Sequence, residues 1–359
     1  MKQYNVGIIG TGFGGLVQGP IFDLHPGFNV QAISSVSGQT SEEITKKTGF
    51  TNVYTNWKEM LRNEELDLIV VSSIPTQHYE MAKEAIVTKH HVLCEKPFTT
   101  KADDSRQLIQ LKNHWKKTGF IDLEWRFQPT RQKAKRLIEE GILGDIIHID
   151  FETSMPGYKG LTTAPRGWLG DKNAYGGMFG ALGSHMVDAI HWLTDSKITK
   201  VFGRLKTVVP ELKNEAGEVM ERRTTDDLFT ITGDTQSGAS FTLQTVTPVR
   251  HGFGSSLRIY GTKGTIQILN DQKMLLAVGD EGFEEVELNL EPVPETLHKR
   301  AERYYHAFYA HIDAIYNYLR DDEKHPDLPF FEDGHQKQLV MDAVFESVKN
   351  GKLTKVTKE

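Results

Sequence analysis

The chain has 359 residues, 38% of them hydrophobic and 25% charged, with a formal net charge of −6. This composition supports a sizeable core, excludes a disordered or low-complexity chain, and at this length suits two domains better than one. The acidic balance counts against non-specific nucleic-acid binding, no apolar run reaches the ~20 residues of a membrane span, and the lone Cys94 excludes an internal disulfide or a multi-cysteine metal site.

No signal-like apolar stretch precedes Val6-Gly7-Ile8-Ile9, so a reducing, cytoplasmic setting is expected. The 32 glycines are uneven: six fall within the first 19 residues and eight between positions 157 and 183. Glycine clustered in this way, with no linker or collagen pattern, marks backbone brought close to something.

The first ~120 residues alternate short apolar runs with helical patterns, which predicts a parallel sheet with crossover helices. Residues 4–9 and 30–34 read as the first two strands, with a helical stretch between them that tolerates Pro20 only near its start or at a kink. Residues 66–72 form a nearly continuous apolar run, as in a strand covered on both faces. Residues 78–88 are its return helix, 91–95 the next strand, 102–117 a helix and 120–125 a further strand.

Beyond Gln128-Pro129 the pattern changes. Residues 130–140 predict a helix capped by Thr130 and ended at Gly141. Residues 146–153 predict a strand, and the glycine-rich stretch 157–183 leads into an apolar helix at 184–193. From 199 to 290, strand-length segments separated by turn signals suggest an open antiparallel or mixed sheet. Helical patterns at 297–320 and 334–349 close the chain. The charged runs Glu221-Arg222-Arg223 and Asp226-Asp227 read as solvated hairpin surface, and the series from Tyr304 to His311 as a helix packing on the sheet.

Gly10-Thr11-Gly12-Phe13-Gly14-Gly15 is a G-x-G-x-x-G run directly after a strand and before a helix. In that context Gly10 allows the tight turn, Gly12 lets backbone approach a pyrophosphate, and Gly15 permits close helix–strand packing. The helix N-terminus adds free N–H groups and partial positive charge. At the end of the second strand, Ser35 and Ser37 stand where an acid normally meets the adenosine ribose. With no carboxylate to repel a 2′-phosphate, the cofactor is expected to be NAD or NADP, leaning to NADP.

Lys96 follows a strand C-terminus, where doubly wound sheets place ligands. With Glu95-Lys96-Pro97 the chain resembles the glucose–fructose oxidoreductase / inositol dehydrogenase (Gfo/Idh/MocA) family over its whole length. Further marks are Ile74-Pro75-Thr76-Gln77-His78, Trp125-Arg126-Phe127-Gln128-Pro129, Gly176-Gly177 through Gly183-Ser184-His185 with Asp188, Gly261-Thr262-Lys263-Gly264-Thr265 and Phe331-Glu332-Asp333-Gly334.

The resemblance implies an α/β protein: an N-terminal Rossmann domain with a doubly wound parallel sheet (residues 1–123), and a C-terminal α/β domain with a large open, mostly antiparallel sheet (124–359). It implies a homodimer or homotetramer joined through that open sheet. It also implies an oxidoreductase that interconverts hydroxyl and carbonyl on a sugar- or polyol-like small molecule, with no nucleic-acid or membrane partner and no metal. Lys96 would hydrogen-bond the reacting oxygen and His185 would be the general acid/base. Ile74, Pro75, His78, Glu95 and Trp168 would join the glycine loop (Gly10, Thr11, Gly12, Phe13, Gly14, Gly15) in holding the cofactor, and Arg126 and Tyr158 would meet the substrate. For Arg126 a structural salt bridge is an equal alternative, and for His78 and Trp168 a packing role.

One departure stands out. The family often carries Asp-x-Gly-x-His, whereas this chain reads Ala181-Leu182-Gly183-Ser184-His185. Glu124, Tyr158, Tyr175 or Asp188 are the candidates to set the histidine's tautomer instead. A cofactor-loaded sensor or scaffold without turnover, and an enzyme that recycles a tightly bound nicotinamide, stay open beside the dehydrogenase.

Overall fold

In the computed structural model, which describes residues 2–288 and 290–357, the chain divides into two compact units. The first comprises Met1–Phe127 and Leu290–His335, the second Gln128–Asn289 and Gln336–Glu359. The break expected at 123/124 falls at 127/128, and a late segment returns to the first unit, so neither unit is one continuous stretch of chain.

The first unit is built on six strands: β1 (Tyr4–Ile9), β2 (Phe28–Ser34), β3 (Val53–Tyr54), β4 (Leu68–Val71), β5 (His91–Cys94) and β6 (Gly119–Ile121). They lie in the order β3-β2-β1-β4-β5-β6, and every pairing is parallel. All four residues of β4 are buried, as a strand roofed by helices on both faces requires. The chain order reverses between β1 and β4, which makes the carboxyl ends of these strands the place for a ligand.

After β1 the helix opens as a π-helical segment, Gly14–Gln18, and tightens into Gly19–Leu24 with Pro20 in its first turn. Pro20 thus sits where π geometry passes into α, an irregularity that lets the helix carry a residue with no N–H to donate. The helix Ser41–Thr48 starts on a Thr40/Glu43 capping box and stops at Gly49 in the left-handed region. From the returning segment comes Tyr305–Asp321, whose Phe308 and Tyr316 pack edge-on to Phe22 and Phe28, with ring centroids 5.6 and 5.8 Å apart. The predicted helix 297–320 is two helices here, Lys299–Glu302 and Tyr305–Asp321. The predicted strand 120–125 ends at Ile121, Asp122 follows it into the interior, and Glu124–Phe127 is a 3₁₀ turn that buries Glu124.

In the second unit, nine strands form one sheet: β7 (Ile146–Ser154), β8 (Ile198–Lys206), β11 (Leu228–Thr235), β12 (Ser240–Val246), β13 (Gly254–Gly261), β14 (Gly264–Leu269), β15 (Lys273–Val278), β16 (Glu284–Val286) and β17 (Thr354–Lys355). Between β8 and β11 runs a separate ribbon, β9 (Glu211–Lys213) and β10 (Val219–Arg222). The sheet order is β16-β15-β14-β13-β7-β12-β11-β8-β17, parallel only between β7 and β12. Strict alternation along β12 turns Phe241, Leu243 and Thr245 inward.

The helix Ser184–Thr194 is buried nearly all round, which explains why apolar residues occupy more than one of its faces. The helix at Pro129–Glu139 has Gln128 at its N-cap and proline in its first turn. Thr130, the expected cap, instead lies buried and donates to the Asp271 carbonyl at 3.4 Å. Among the described residues no helix is long and apolar enough to cross a membrane.

Candidate active site

The glycine loop follows β1 at the topological switch. Gly10 has φ +131°, and a Cβ there would sit 2.1 Å from the Ser72 carbonyl oxygen, so no other residue fits. A Cβ on Gly12 would meet nothing within 4 Å; its backbone faces open space, as approach by a phosphate demands. Close packing on the strand falls to Gly14, where a Cβ would sit 2.8 Å from Ile8 Cγ2, while a Cβ on Gly15 would sit 2.7 Å from Thr48 Cγ2. The jobs expected of the third glycine are thus shared between two neighbours. Ser72 Oγ, buried beside Gly14, finds no hydrogen-bond partner among the described residues. Open glycine backbone and a spare buried hydroxyl fit a dinucleotide's pyrophosphate.

Beyond the loop, Gln39 Oε1 accepts from Thr11 Oγ1 at 2.5 Å, Ser35 Oγ at 3.2 Å and Ser37 Oγ at 3.3 Å. Lys47 Nζ, from the helix after β2, donates to Thr11 Oγ1 at 3.2 Å. The two serines singled out in the sequence are therefore joined by a glutamine and a lysine that a β2-end motif does not reveal.

Around Lys96 the first unit buries three carboxyl groups, Glu95, Asp122 and Glu124. The Lys96–Pro97 peptide is cis, and Lys96 N donates to Glu95 Oε2 at 3.1 Å. Gln18 spends its amide on both neighbours, with Nε2 3.0 Å from Glu95 Oε1 and 2.6 Å from Asp122 Oδ2. On the far side His311, fully buried and stacked on Phe127, donates Nδ1–H to Asp122 at 3.3 Å.

Burial pushes the Glu95 carboxyl up to about 8, helped by the charge of Asp122 and opposed by Lys96. Burial also raises Asp122, and it raises Glu124 well above the ordinary carboxylate range. His311 is held down to about 3 by burial and then by Arg126, so its contact with Asp122 is a hydrogen bond of neutral imidazole. With three acids to one ammonium, the cluster holds protons at neutral pH. Tyr304, expected only to pack, closes this group. Its ring lies edge-on to Phe13 at 5.0 Å, and its hydroxyl stands in the field of Glu124 and Lys96.

Two expected contact residues are spent elsewhere. His78 is fully buried, its Nδ1 2.9 Å from the Pro97 carbonyl and its Nε2 3.2 Å from that of Ser73, so it ties two loops together rather than facing a cofactor. Its helix starts at Pro75 with Ile74 as N-cap. Arg126 is buried and forks between Asp333 at 2.9 Å and the Asp327 carbonyl at 3.3 Å. Of its two open roles, the structural salt bridge is formed.

In the second unit His185 lies in the first turn of Ser184–Thr194, 3% exposed. Asp188, one turn on and on the same face, forms a buried ion pair with Lys337 from the helix Phe331–Asn350. Tyr175 accepts from Gln338 Nε2 at 2.9 Å, and burial raises its pKa. Of the candidates for the missing carboxylate, Asp188 thus comes with a lysine and Tyr175 with a glutamine, both from a helix that carried no chemical signal in the sequence. Glu124 belongs to the Lys96 cluster.

Tyr158 opens the short helix Tyr158–Thr163 with its ring 4.8 Å from the Arg250 guanidinium, and Trp168 sits 39% exposed on the turn Gly167–Gly170. The charged runs expected on the surface are largely interior: Arg223, Asp226 and Asp227 are buried, and Asp227 accepts from Val208 N and Val209 N at 2.7 and 3.0 Å. A strand exit that must satisfy a loop's backbone looks like surface polarity in sequence, because composition does not say what the charges face.

Comparison with known proteins agrees with this fold. Residues 4–121 match the family model described as oxidoreductase family, NAD-binding Rossmann fold, and residues 131–267 match the GFO/IDH/MocA C-terminal domain. The chain is 31% identical to an uncharacterized oxidoreductase, sll0816, of Synechocystis sp., over 74% of this chain and 71% of that one. Among solved structures, levoglucosan dehydrogenase in complex with NADH and L-sorbose superposes with a TM-score of 0.87 at 20% identity, covering 100% of both chains. The aldose-aldose oxidoreductase of Caulobacter crescentus complexed with glycerol gives 0.78 at 18% identity, over 99% and 100% of the two chains.

Proposed function

The chain belongs to the GFO/IDH/MocA family of NAD-binding oxidoreductases, and we propose that this NAD-dependent dehydrogenase interconverts a secondary hydroxyl and a carbonyl on a sugar or polyol. The observation that carries the proposal is Lys96 at the carboxyl edge of the parallel sheet, set among three buried carboxyl groups and next in chain to one of them. The sugars named in complexes of fold neighbours support the substrate class.

Gly10, Gly12 and Ser72 would hold the pyrophosphate, and Ser35, Ser37, Gln39 and Lys47 the adenosine end. The nicotinamide, when bound, supplies the hydride acceptor or donor. Lys96 Nζ donates a hydrogen bond to the substrate oxygen and stabilises negative charge as it develops there. His185 takes the hydroxyl proton on oxidation and returns it on reduction. The adenosine end carries a cation and no carboxylate, so NADP is accepted as well as NAD.

The test is turnover of a panel of sugars and polyols with NAD and NADP, followed at the reduced-nicotinamide absorbance, for the parent, Lys96→Met and His185→Asn. Loss of at least about a hundredfold in kcat with NADH binding intact supports the assignment. Full activity in either variant removes that residue from the mechanism. No turnover by the parent with NADH still bound favours a non-catalytic sensor, and cofactor retained through purification favours internal recycling.

A further inference from the structure

We propose that Glu221 and Arg223 are specificity-determining positioning residues: they fix the backbone of the loop 158–170, which presents Tyr158 and Trp168, and thereby set which sugar ring that loop accepts. The inference rests on reading the chain as a sugar or polyol dehydrogenase.

The loop has little to hold it from within. Between β7 and the His185 helix it forms one six-residue helix and one short 3₁₀ turn, and of residues 158–170 only Leu161 and Gly170 are buried. A segment this poor in apolar contacts takes its shape from hydrogen bonds to something rigid.

Those bonds come from the exit of the ribbon strand β10. The Arg223 side chain, 0% exposed, places Nη1 2.5 Å from the Leu161 carbonyl, Nη2 3.0 Å from that of Ala164 and Nε 2.7 Å from Glu221 Oε2. Glu221 in turn accepts from Arg166 N at 3.0 Å and Gly167 N at 2.9 Å, where the loop turns through a left-handed glycine. Thr225 Oγ1 donates to the Leu169 carbonyl at 2.7 Å. One residue further, Asp226 Oδ2 accepts from Phe179 N at 2.8 Å, at the start of the segment that runs into the His185 helix.

Apart from the Arg223–Glu221 pair itself, each of these bonds joins a side chain to main chain. Such bonds set the position and direction of a backbone, and hence where its side chains point, which apolar contacts do only loosely. Burying the Arg223 guanidinium costs desolvation that its pairing with half-buried Glu221 offsets, so the pair is a poor source of net stability. Placing it here fits a need for one loop geometry.

What the loop presents suits a sugar. Tyr158 and Trp168 offer ring faces to the C–H face of a pyranose, and Arg250, over Tyr158, offers donors to its hydroxyls. Phe253, 98% exposed, sits on the adjoining loop, which is tied to the end of β7 through Phe253 N to Ser154 Oγ at 2.8 Å and to this loop through Tyr158 N to the Val249 carbonyl at 3.1 Å.

The experiment uses the full-length protein with Glu221→Gln, Arg223→Met and the conservative Arg223→Lys, and two readouts. The first needs no substrate: acrylamide quenching of Trp168 emission, isolated by difference against Trp168→Phe. Quenching should rise about twofold in Glu221→Gln and Arg223→Met and return toward the parent in Arg223→Lys. The second is kinetics with D-glucose, D-galactose, myo-inositol and levoglucosan: KM should rise about tenfold and the rank order of sugars should change, with the NADH dissociation constant held. Unchanged quenching, or KM and NADH affinity weakening together, overturns the proposal. If the parent turns over none of the four sugars, the substrate reading fails, whereas the quenching result still decides whether Glu221 and Arg223 hold the loop.

Discussion

Lys337 and Asp188 form an ion pair in which each side chain is no more than 5% exposed, and Asp188 lies one helical turn from His185. Removing one partner leaves the other charge buried. Lys337→Met should therefore destabilise the protein by about 3–5 kcal/mol, and the double variant Lys337→Met/Asp188→Leu should recover most of that loss. Urea unfolding of the two variants checks this, and a double variant as unstable as the single one contradicts it.

The Glu95 cluster should leave a mark on stability against pH. Its pKa is raised in the folded chain, so between the ordinary carboxylate value near 4.5 and about 8 the native state binds a proton that the unfolded state has lost. Stability from this group is therefore full at low pH and declines as pH rises through that window, by up to about 1.4 kcal/mol per pH unit. Glu95→Gln should flatten the slope in denaturation midpoints taken at several pH values from 5 to 8. An unchanged slope would locate the protons on Asp122 or Glu124.

His311 works in the opposite sense. Its folded pKa, lowered to about 3, means that the native state lacks a proton the unfolded chain binds below the ordinary imidazole value of 6.5. Stability falls as pH drops from 6.5 toward 3, and His311→Asn should remove that part of acid sensitivity. Acid unfolding followed by circular dichroism reads the difference.

Gly10 and Gly12 should fail differently. Gly10→Ala forces a Cβ onto the Ser72 carbonyl at positive φ and should cost several kcal/mol of stability, of the order of a strained core substitution. Gly12→Ala meets nothing in the protein, so its melting temperature should hold while NADH binding weakens. Thermal melts and calorimetric titration with NADH separate the two.

Lys47→Ala should weaken NADPH binding about tenfold more than NADH binding, because only NADPH carries a 2′-phosphate at the adenosine end for the lost ammonium to meet. Equal weakening of both would assign Lys47 to supporting Thr11 alone.

Much of this molecule was legible in its sequence where one residue type answers one local demand. Gly10 after a β-branched strand, the buried run of β4 and the alternation of β12 each state their geometry in composition and period. The site was legible where a motif is contiguous, as in Glu95-Lys96-Pro97. It was not legible where partners come from far along the chain: His311 reaches Asp122 across 189 residues, and Arg223 reaches Leu161 across 62. Such pairings leave no periodic trace. A buried arginine beside two carbonyl oxygens has the same composition as a wet one, which is why residues 221–227 read as surface.

The returning segment Leu290–His335 has a consequence for how the protein is made. Phe308, Ile312 and Tyr316 belong to the same apolar cluster as Val6, Ile8 and Phe22. A ribosome that has released the first 127 residues has therefore delivered the whole parallel sheet without one side of its core. The nucleotide-binding unit, although first in the chain, cannot be sealed until residues 290–335 have emerged, and the second unit in turn waits for residues 336–359, which supply β17 and most of the helix Phe331–Asn350.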